Sequence, residues 1–125
     1  MNRISLIVVL AFTVFSACKK DCNTPSDFRD VWRGQYQCVE TVNCYGPCFT
    51  CSSTRDTVIS VDYGTTDSTL IVLGREVWLD SGGSYSAYHY GLNFRNDSIF
   101  SNYMSGGLGC GSYISHVGVK ISDTP

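Results

Sequence analysis

A side-chain alternation with a period of two constrains this fold more than any other feature of the chain. The first run reads WRGQYQCV, from Trp32 to Val39. Successive side chains of a β-strand point to opposite faces, so this period predicts a strand with one buried face. No helical period of useful length follows Trp32. The pattern therefore predicts an all-β domain.

Further runs of strand-forming residues recur about every ten positions along the chain. They cover residues 57–63, 70–73, 77–79, 85–94, 98–104 and 113–121. Stretches rich in turn-forming residues separate them, at 64–67, 80–83, 95–97 and 105–107. Short strands at this spacing are typical of an antiparallel meander. We expect about seven strands, arranged as an up-and-down barrel or as a two-sheet sandwich.

The amino-terminal segment has the pattern of an export signal. Arg3 supplies a positive charge, and residues 4–15 form an apolar run without charge. Such a run is shorter than the roughly 20 residues that a membrane-spanning helix needs. Two small residues, at 16–17, then precede Cys18. This order resembles the lipobox of bacterial lipoproteins, with Phe15 where leucine is usual. The resemblance implies that Cys18 carries a lipid and that the chain is cut before it.

The lipobox resemblance implies a division of the chain into three parts. Residues 1–17 would be a signal peptide, residues 18–30 a lipidated tether and residues 31–125 the all-β domain. Several lipid chains on one cysteine would hold the protein at the outer membrane of the cell envelope, since each buried CH₂ contributes about 0.8 kcal/mol. The charged triplet at 19–21 is similar to that of small Bacteroidota lipoproteins, where it favours surface export. A solvated tether on the periplasmic face is the alternative.

The end of the tether contains a candidate helix start. Pro25 is followed by Ser26 and Asp27. Either of these two side chains is suited to cap a helix amino terminus. We therefore expect a short helical turn between the tether and the first strand.

Lipidation of Cys18 would leave an even number of cysteines in an oxidising compartment. The candidates for disulfide bonds are Cys22, Cys38, Cys44, Cys48, Cys51 and Cys110. Up to three disulfides are expected, and the sequence does not choose among the 15 possible connectivities. Cys38 could pair with Cys51, or Cys44 with Cys48.

The cysteine-rich loop at residues 44–51 has the spacing C-x3-C-x2-C. This spacing is similar to the iron–sulfur motif of radical SAM enzymes, which need a far longer barrel of parallel strands and helices. A zinc site needs four ligands, and no second paired motif is present. A disulfide-stapled loop is the expected structure, with no metal and no cofactor. The glycine-rich stretch 106–111 lacks the G-x-G-x-x-G spacing, so we expect a loop between strands there.

Charge and histidine content limit the classes of function. The chain has a formal net charge of −2 and dispersed positive residues. Nucleic-acid binding needs a basic patch, so no nucleic-acid partner is expected. His89 and His116 lie in different runs. A cluster of either with carboxylates in a cleft would favour a hydrolase.

The aromatic residues suit either a small β core or a binding surface, because tyrosine has an apolar body and a polar tip. The candidates for ligand contact are Trp32, Tyr36, Tyr88 and Tyr90. Residues 31–36 are similar to the first strand of lipocalin-like barrels, where Gly-x-Trp closes the barrel end. Here Trp32 precedes Gly34.

These patterns favour a non-catalytic binding or interaction domain. Its ligand would be an envelope protein, a glycan or a small amphiphile. An accessory subunit of an envelope assembly is the alternative, which a flat apolar patch would mark. A hydrolase is a third alternative.

Overall fold

A computed structural model describes residues 27–47, 50–80 and 82–125 of the chain. The predicted signal segment, Cys18 and most of the predicted tether lie outside the described residues. The described part contains one short 3₁₀ turn, Phe28–Val31, followed by strands. The strands are β1 (Gly34–Tyr45), β2 (Ser52–Tyr63), β3 (Thr69–Val72), β4 (Arg75–Trp78), β5 (Ser84–Ala87), β6 (Tyr90–Arg95), β7 (Ser98–Gly106) and β8 (Gly111–Ser122).

The strands form a single antiparallel sheet in the order β4-β3-β2-β1-β8-β7-β6-β5. Consecutive strands are neighbours except β4 and β5, and the first strand pairs with the last. The sheet is therefore an up-and-down meander that curls until it is nearly closed into a barrel. At the gap, the Asp80 N–H donates a backbone hydrogen bond of 2.9 Å to the carbonyl of Ser84. The barrel alternative is confirmed, and the two-sheet sandwich is wrong.

The run at residues 85–94 was expected to be one strand but is a hairpin of β5 and β6. This raises the strand count from about seven to eight. The chain reverses at Tyr88 and His89, and the His89 carbonyl accepts a hydrogen bond from the Met104 N–H. The two-residue turn switches the inward positions from odd to even, since Tyr85 and Leu92 are paired and point to the same side. Tyr88 in the turn nevertheless has the same parity as the apolar positions of β6, so it extends their alternation backwards. The alternation alone could not reveal the reversal.

The hydrophobic core lies on the inner face of the curled sheet. Ladder partners such as Tyr36 and Ile59 share that face because directly paired residues point to the same side. Each such side chain contributes roughly 1.5–3 kcal/mol when it is fully buried. The buried apolar residues are Tyr36, Cys38, Ile59, Val61, Leu70, Val72, Val77, Tyr90, Leu92, Phe94 and Ile99.

One end of the barrel is covered by residues 28–32, which we call the plug. Asp27 caps the 3₁₀ turn by accepting a hydrogen bond from the Arg29 N–H, which confirms the expected helical turn. The Arg29 side chain is buried and donates hydrogen bonds to the carbonyls of Thr66 and Thr69, where β2 turns into β3. An arginine that satisfies two turn carbonyls fixes the plug against the barrel rim.

Trp32 completes the plug on the opposite side of the same rim. Its ring stacks on Phe94 with centroids 5.9 Å apart. Its carbonyl accepts a 2.8 Å hydrogen bond from the Tyr36 hydroxyl. A Cβ on Gly83 would lie 2.9 Å from the Trp32 ring, so a glycine is needed there for the ring to fit. The plug thus spans from the β2–β3 turn to the start of β5.

Candidate functional site

Three of the four aromatic residues expected to contact a ligand belong to the packing of the barrel. Tyr36 and Tyr90 are buried on the inner face, and Trp32 packs on Phe94 in the plug. Burial raises the pKa of Tyr90 to about 12. Only Tyr88 is on the surface, at 93 % exposure in the β5–β6 turn. Three of these four assignments are therefore better explained by the core.

The cysteine pairing differs from both pairings considered from the sequence. Cys44 bonds to Cys51, across the base of the β1–β2 connection. These residues lie directly opposite each other, since the Cys44 N–H donates to the Cys51 carbonyl and their Cα atoms are 5.0 Å apart. The pairings of Cys38 with Cys51 and of Cys44 with Cys48 are wrong, because each uses a cysteine that is already bonded in this way.

Cys38 is a free thiol in the core, so its assignment as a disulfide partner is wrong. Burial raises its pKa to about 11. Cys110 is disulfide-bonded. Cys22 and Cys48 lie outside the described residues. With Cys38 free, five candidates remain, so the upper limit falls from three disulfides to two.

A row of four polar side chains crosses the inner face at one level, which we call the polar row. Arg55 pairs with Glu40, Glu40 with His116, and His116 with Ser101, on the adjacent strands β2, β1, β8 and β7. Directly paired residues have their Cβ atoms about 5 Å apart, so the ladder register alone brings the four together. The sequence separations are too large for a motif to reveal this row.

Hydrogen bonds connect every neighbour in the polar row. Arg55 Nε lies 2.6 Å from Glu40 Oε1, His116 Nε2 lies 3.1 Å from Glu40 Oε2, and Ser101 Oγ lies 3.0 Å from His116 Nδ1. The bonds from Arg55, and then that from His116, hold the pKa of Glu40 below its usual value against the opposing effect of burial. A carboxylate only accepts, so His116 Nε2 carries the proton in its bond to Glu40.

The polar row contains the residue types of a hydrolytic triad, but its geometry does not suit a nucleophile. Ser101 is only 5 % exposed and lies in the middle of β7, with a strand on each side. Backbone N–H groups there are used in the ladders, so none is available to stabilise an oxyanion. His116 does cluster with a carboxylate, yet on the buried inner face. The arrangement serves as a hydrogen-bonded network that links four strands.

The outward side chains of β1, β8 and β7 form a surface without charge, which we call the outer wall. Outward positions alternate with the buried ones, and none of them is Asp, Glu, Lys or Arg. Many are apolar and about half exposed, such as Val39, Val117, Val119 and Phe100. An exposed surface without charged residues is typical of the centre of binding interfaces.

Two shallow depressions in and beside the outer wall meet over Gly91, and together we call them the outer groove. One has a volume of about 360 Å³ and the other of about 310 Å³, and both are lined by Gly91, Asn102 and Tyr113. The first also contains Phe100 and Asn93, and the second contains the exposed turn with Tyr88. Among the described residues, none that line either depression is Asp, Glu, Lys or Arg.

Gly91 leaves an outward position of β6 without a side chain at the point where the two depressions of the outer groove meet. Its ladder partner is Asn102. A Cβ on Gly91 would lie 2.6 Å from Asn102 Oδ1, so the amide occupies the space that a side chain would fill. The groove thus presents aromatic rings beside amide and hydroxyl groups. This combination can pack against the apolar face of a neutral ligand and hydrogen-bond to its hydroxyls.

Other classes of site have less support in the described part of the chain. Within it, no three His, Cys, Asp or Glu side chains come together in a way that would hold a metal ion. No helix in the same ranges is long and apolar enough to cross a membrane. We find no family model, no curated protein and no solved structure that matches this chain.

Proposed function

We propose that this protein is a lipid-anchored, non-catalytic binding domain of the bacterial cell envelope that binds a neutral ligand in the outer groove. The observation that carries the proposal is the uncharged outer wall with the depression over Gly91. Charged ligands would lose hydration there without gaining an ionic partner. A glycan, or a small amphiphile without net charge, has the complementary chemistry.

Binding of neutral ligands tests the proposal directly. The purified protein in detergent is applied to an array of neutral glycans, and the best ligand is titrated by calorimetry. Tyr113→Ala should weaken binding about tenfold, corresponding to about 1.4 kcal/mol. Trp78→Ala is the matched control, because Trp78 is a 66 % exposed aromatic residue on β4, outside the wall. Equal loss in both variants, or no neutral ligand at all, would contradict the proposal.

The anchor is supported by the export-signal pattern and by Cys18. With several lipid chains on Cys18, the protein should partition into the detergent phase of Triton X-114 extracts of the envelope. Cys18→Ala should abolish this partition or leave the precursor unprocessed. Cys38→Ala is the control, since Cys38 is buried in the core. A mass spectrum of the mature protein with an unmodified thiol at Cys18 would refute the anchor.

An accessory subunit of an envelope assembly is the second candidate function. Its support is an aliphatic area in which Val39, Val117 and Val119 of the outer wall lie beside Val58 of the neighbouring strand β2, each about half exposed. Apolar patches of several hundred Å² commonly mark protein interfaces. Val119→Lys should then remove co-purifying envelope proteins and leave glycan binding unchanged, whereas Tyr113→Ala should do the reverse.

A further inference from the structure

The first part of β2, residues 52–58, has a neighbouring strand on one side only. On one side, β2 pairs with β1 from Ser52 to Val61. On the other, β2 pairs with β3 only from Val61 to Tyr63. Among the described residues, no strand pairs with the side of residues 52–58 that faces away from β1. We call this stretch the free edge, and its length of seven residues is sufficient for a further strand.

The hydrogen bonds at the two ends of β2 show which backbone groups the free edge presents. Cys44 donates to the Cys51 carbonyl, so the odd-numbered residues of β2 direct their N–H and C=O groups towards β1. Gly64 donates to the Thr69 carbonyl, so the even-numbered residues direct theirs away from β1. The free edge therefore presents the backbone groups of Ser52, Thr54, Asp56 and Val58.

The free edge is accessible and has the composition of a strand that can accept a partner. Residues 52–56 are all exposed, and no proline or bulge interrupts the pairing of β2 with β1. Unpaired edges of this length are usually blocked in soluble proteins, because they act as templates for another chain. Two charges, on Arg55 and Asp56, are the only features here that restrict the choice of partner.

A second copy of the same chain does not fit well in the register that uses the whole free edge. Opposed residues of an antiparallel pair point to the same face, so a two-fold pairing matches residues of equal parity. The register that uses all of residues 52–58 places Arg55 opposite Arg55 of the copy. In that register the two-fold axis passes beside Arg55. If the axis moves to the next residue, Asp56 lies opposite Asp56 of the copy. Directly opposed like charges destabilise strand pairing.

A partner with the opposite charges fits the same edge. Arg55 is 71 % exposed although it contacts Glu40, so it can also meet an acidic residue on the inner side. Asp56 points outward and has no hydrogen bond or ion pair within the described residues. We propose that the free edge of β2 binds an extended segment of a partner protein, which adds a strand and places an acidic residue opposite Arg55 and a basic residue opposite Asp56.

A proline substitution can test the free edge, because only the even-numbered residues of β2 direct their N–H groups towards it. Proline lacks an N–H, and strands tolerate it where that N–H would face away from the ladder. Thr54→Pro should therefore keep the β1–β2 pairing and remove one donor from the free edge, whereas Thr54→Ala keeps the donor. The probe is a fluorescent seven-residue peptide of valine and threonine with lysine and glutamate at its third and fourth positions. By anisotropy, Thr54→Pro should weaken its binding at least tenfold and Thr54→Ala less than twofold.

A charge variant and hydrogen exchange keep the proposal testable if the proline variant does not fold. Asp56→Lys should weaken binding of the same peptide severalfold, and the loss should shrink at high salt. In the wild-type protein, saturation with the peptide should slow amide exchange at Thr54 and Asp56, while the amide of Thr57, already bonded to β1, should change little. No binding of the peptide, binding that Thr54→Pro leaves intact, or self-association through this edge would overturn the proposal.

Discussion

On the inner face, paired residues of neighbouring strands have side chains of complementary size. Cys38 pairs with Gly118 on β8. A Cβ on Gly118 would lie 2.3 Å from the Cys38 sulfur, so the glycine provides the space for the thiol. The next inner pair along the same two strands is Glu40 with His116. Apolar packing and a polar network thus lie one layer apart.

Cys38 should be a protected thiol. Its burial and its raised pKa of about 11 leave little thiolate to react in the native state. With Ellman's reagent, the native protein and Cys38→Ala should give the same thiol count. In guanidinium chloride without reductant, the wild-type protein should give one thiol more than the variant. Rapid modification of native Cys38 would contradict its position in the core.

Glu40 should make stability depend on acid pH. The pKa of Glu40 is lowered in the folded state, so its contribution is complete above the pKa of the unfolded chain, about 4.3, and is lost as the pH falls through the folded value. The difference in unfolding free energy between wild type and Glu40→Gln should therefore be largest near neutral pH and shrink below about pH 4. Urea unfolding at several pH values measures it.

Substitution of Arg55 tests the source of this pH dependence. Its guanidinium is the first cause of the lowered pKa of Glu40. In an Arg55→Ala background, Glu40→Gln should therefore have a weaker pH-dependent effect. An unchanged pH dependence in that background would mean that Arg55 does not hold the carboxylate.

Among the elements, the short plug contributes more than its length indicates. The 3₁₀ turn makes only a few backbone hydrogen bonds, yet Arg29 and Trp32 connect it to both sides of the barrel rim. The sequence predicted this turn and narrowed its cap to Ser26 or Asp27, because capping depends on neighbouring residues only. It did not predict that Trp32 would pack on Phe94, because that contact joins residues more than 60 positions apart.

Removal of the Trp32 ring should destabilise the barrel through the plug. Trp32→Ala leaves a cavity above Phe94 and should cost about 2–4 kcal/mol in unfolding free energy. Trp78→Ala should change it by less than about 0.5 kcal/mol, because that ring is largely exposed. Guanidinium unfolding followed by circular dichroism measures both. Similar losses in the two variants would show that the plug does not stabilise the fold.

Strand limits were predicted well where burial produced the alternation. The predicted runs at 98–104 and 113–121 lie within β7 and β8. The run at 57–63 misses the first five residues of β2, since residues 52–56 are all exposed and show no alternation. Their pairing with β1 follows from the connection between the strands, which a local pattern does not encode.

Buried side chains are distributed unevenly along the barrel axis. Strands β3 and β4 are short and flank only the end of β2 near the plug. On β1, Tyr36 is fully buried near the plug, whereas Val42 on the same face is only half buried. The stable core therefore lies towards the plug, and the far half of the barrel depends more on its ladders and on the Cys44–Cys51 disulfide.

Hydrogen exchange should show this gradient. The amides of Tyr36 and Val42 both face β2, so they form a matched pair. We expect the Tyr36 amide to exchange only through global unfolding, and the Val42 amide to exchange at least ten times faster through local opening. Native-state exchange followed by NMR at low denaturant measures the two rates. Equal rates would indicate that the barrel opens as one unit.

The outer groove could not be predicted from the sequence because it depends on which strands become neighbours. Gly91, Asn102 and Tyr113 lie on β6, β7 and β8, and each is 11 positions from the next. Their juxtaposition follows from the ladder register. The sequence did indicate that aromatic residues would matter, but Tyr113 was only the first residue of the predicted run 113–121, and three of the four aromatic candidates are packed in the barrel or its plug.

The pairing of β1 with β8 brings the start and the finish of the folded domain to the same end. Asp27 and Asp123 line one common depression, and the Lys120 ammonium group donates a hydrogen bond to the Val31 carbonyl. A fluorescent protein fused after Pro125 would therefore sit beside Asp27, at the end of the barrel where the described part of the chain begins. A circular permutant that joins these ends and opens the chain at the β7–β8 turn would carry its new termini at the opposite pole.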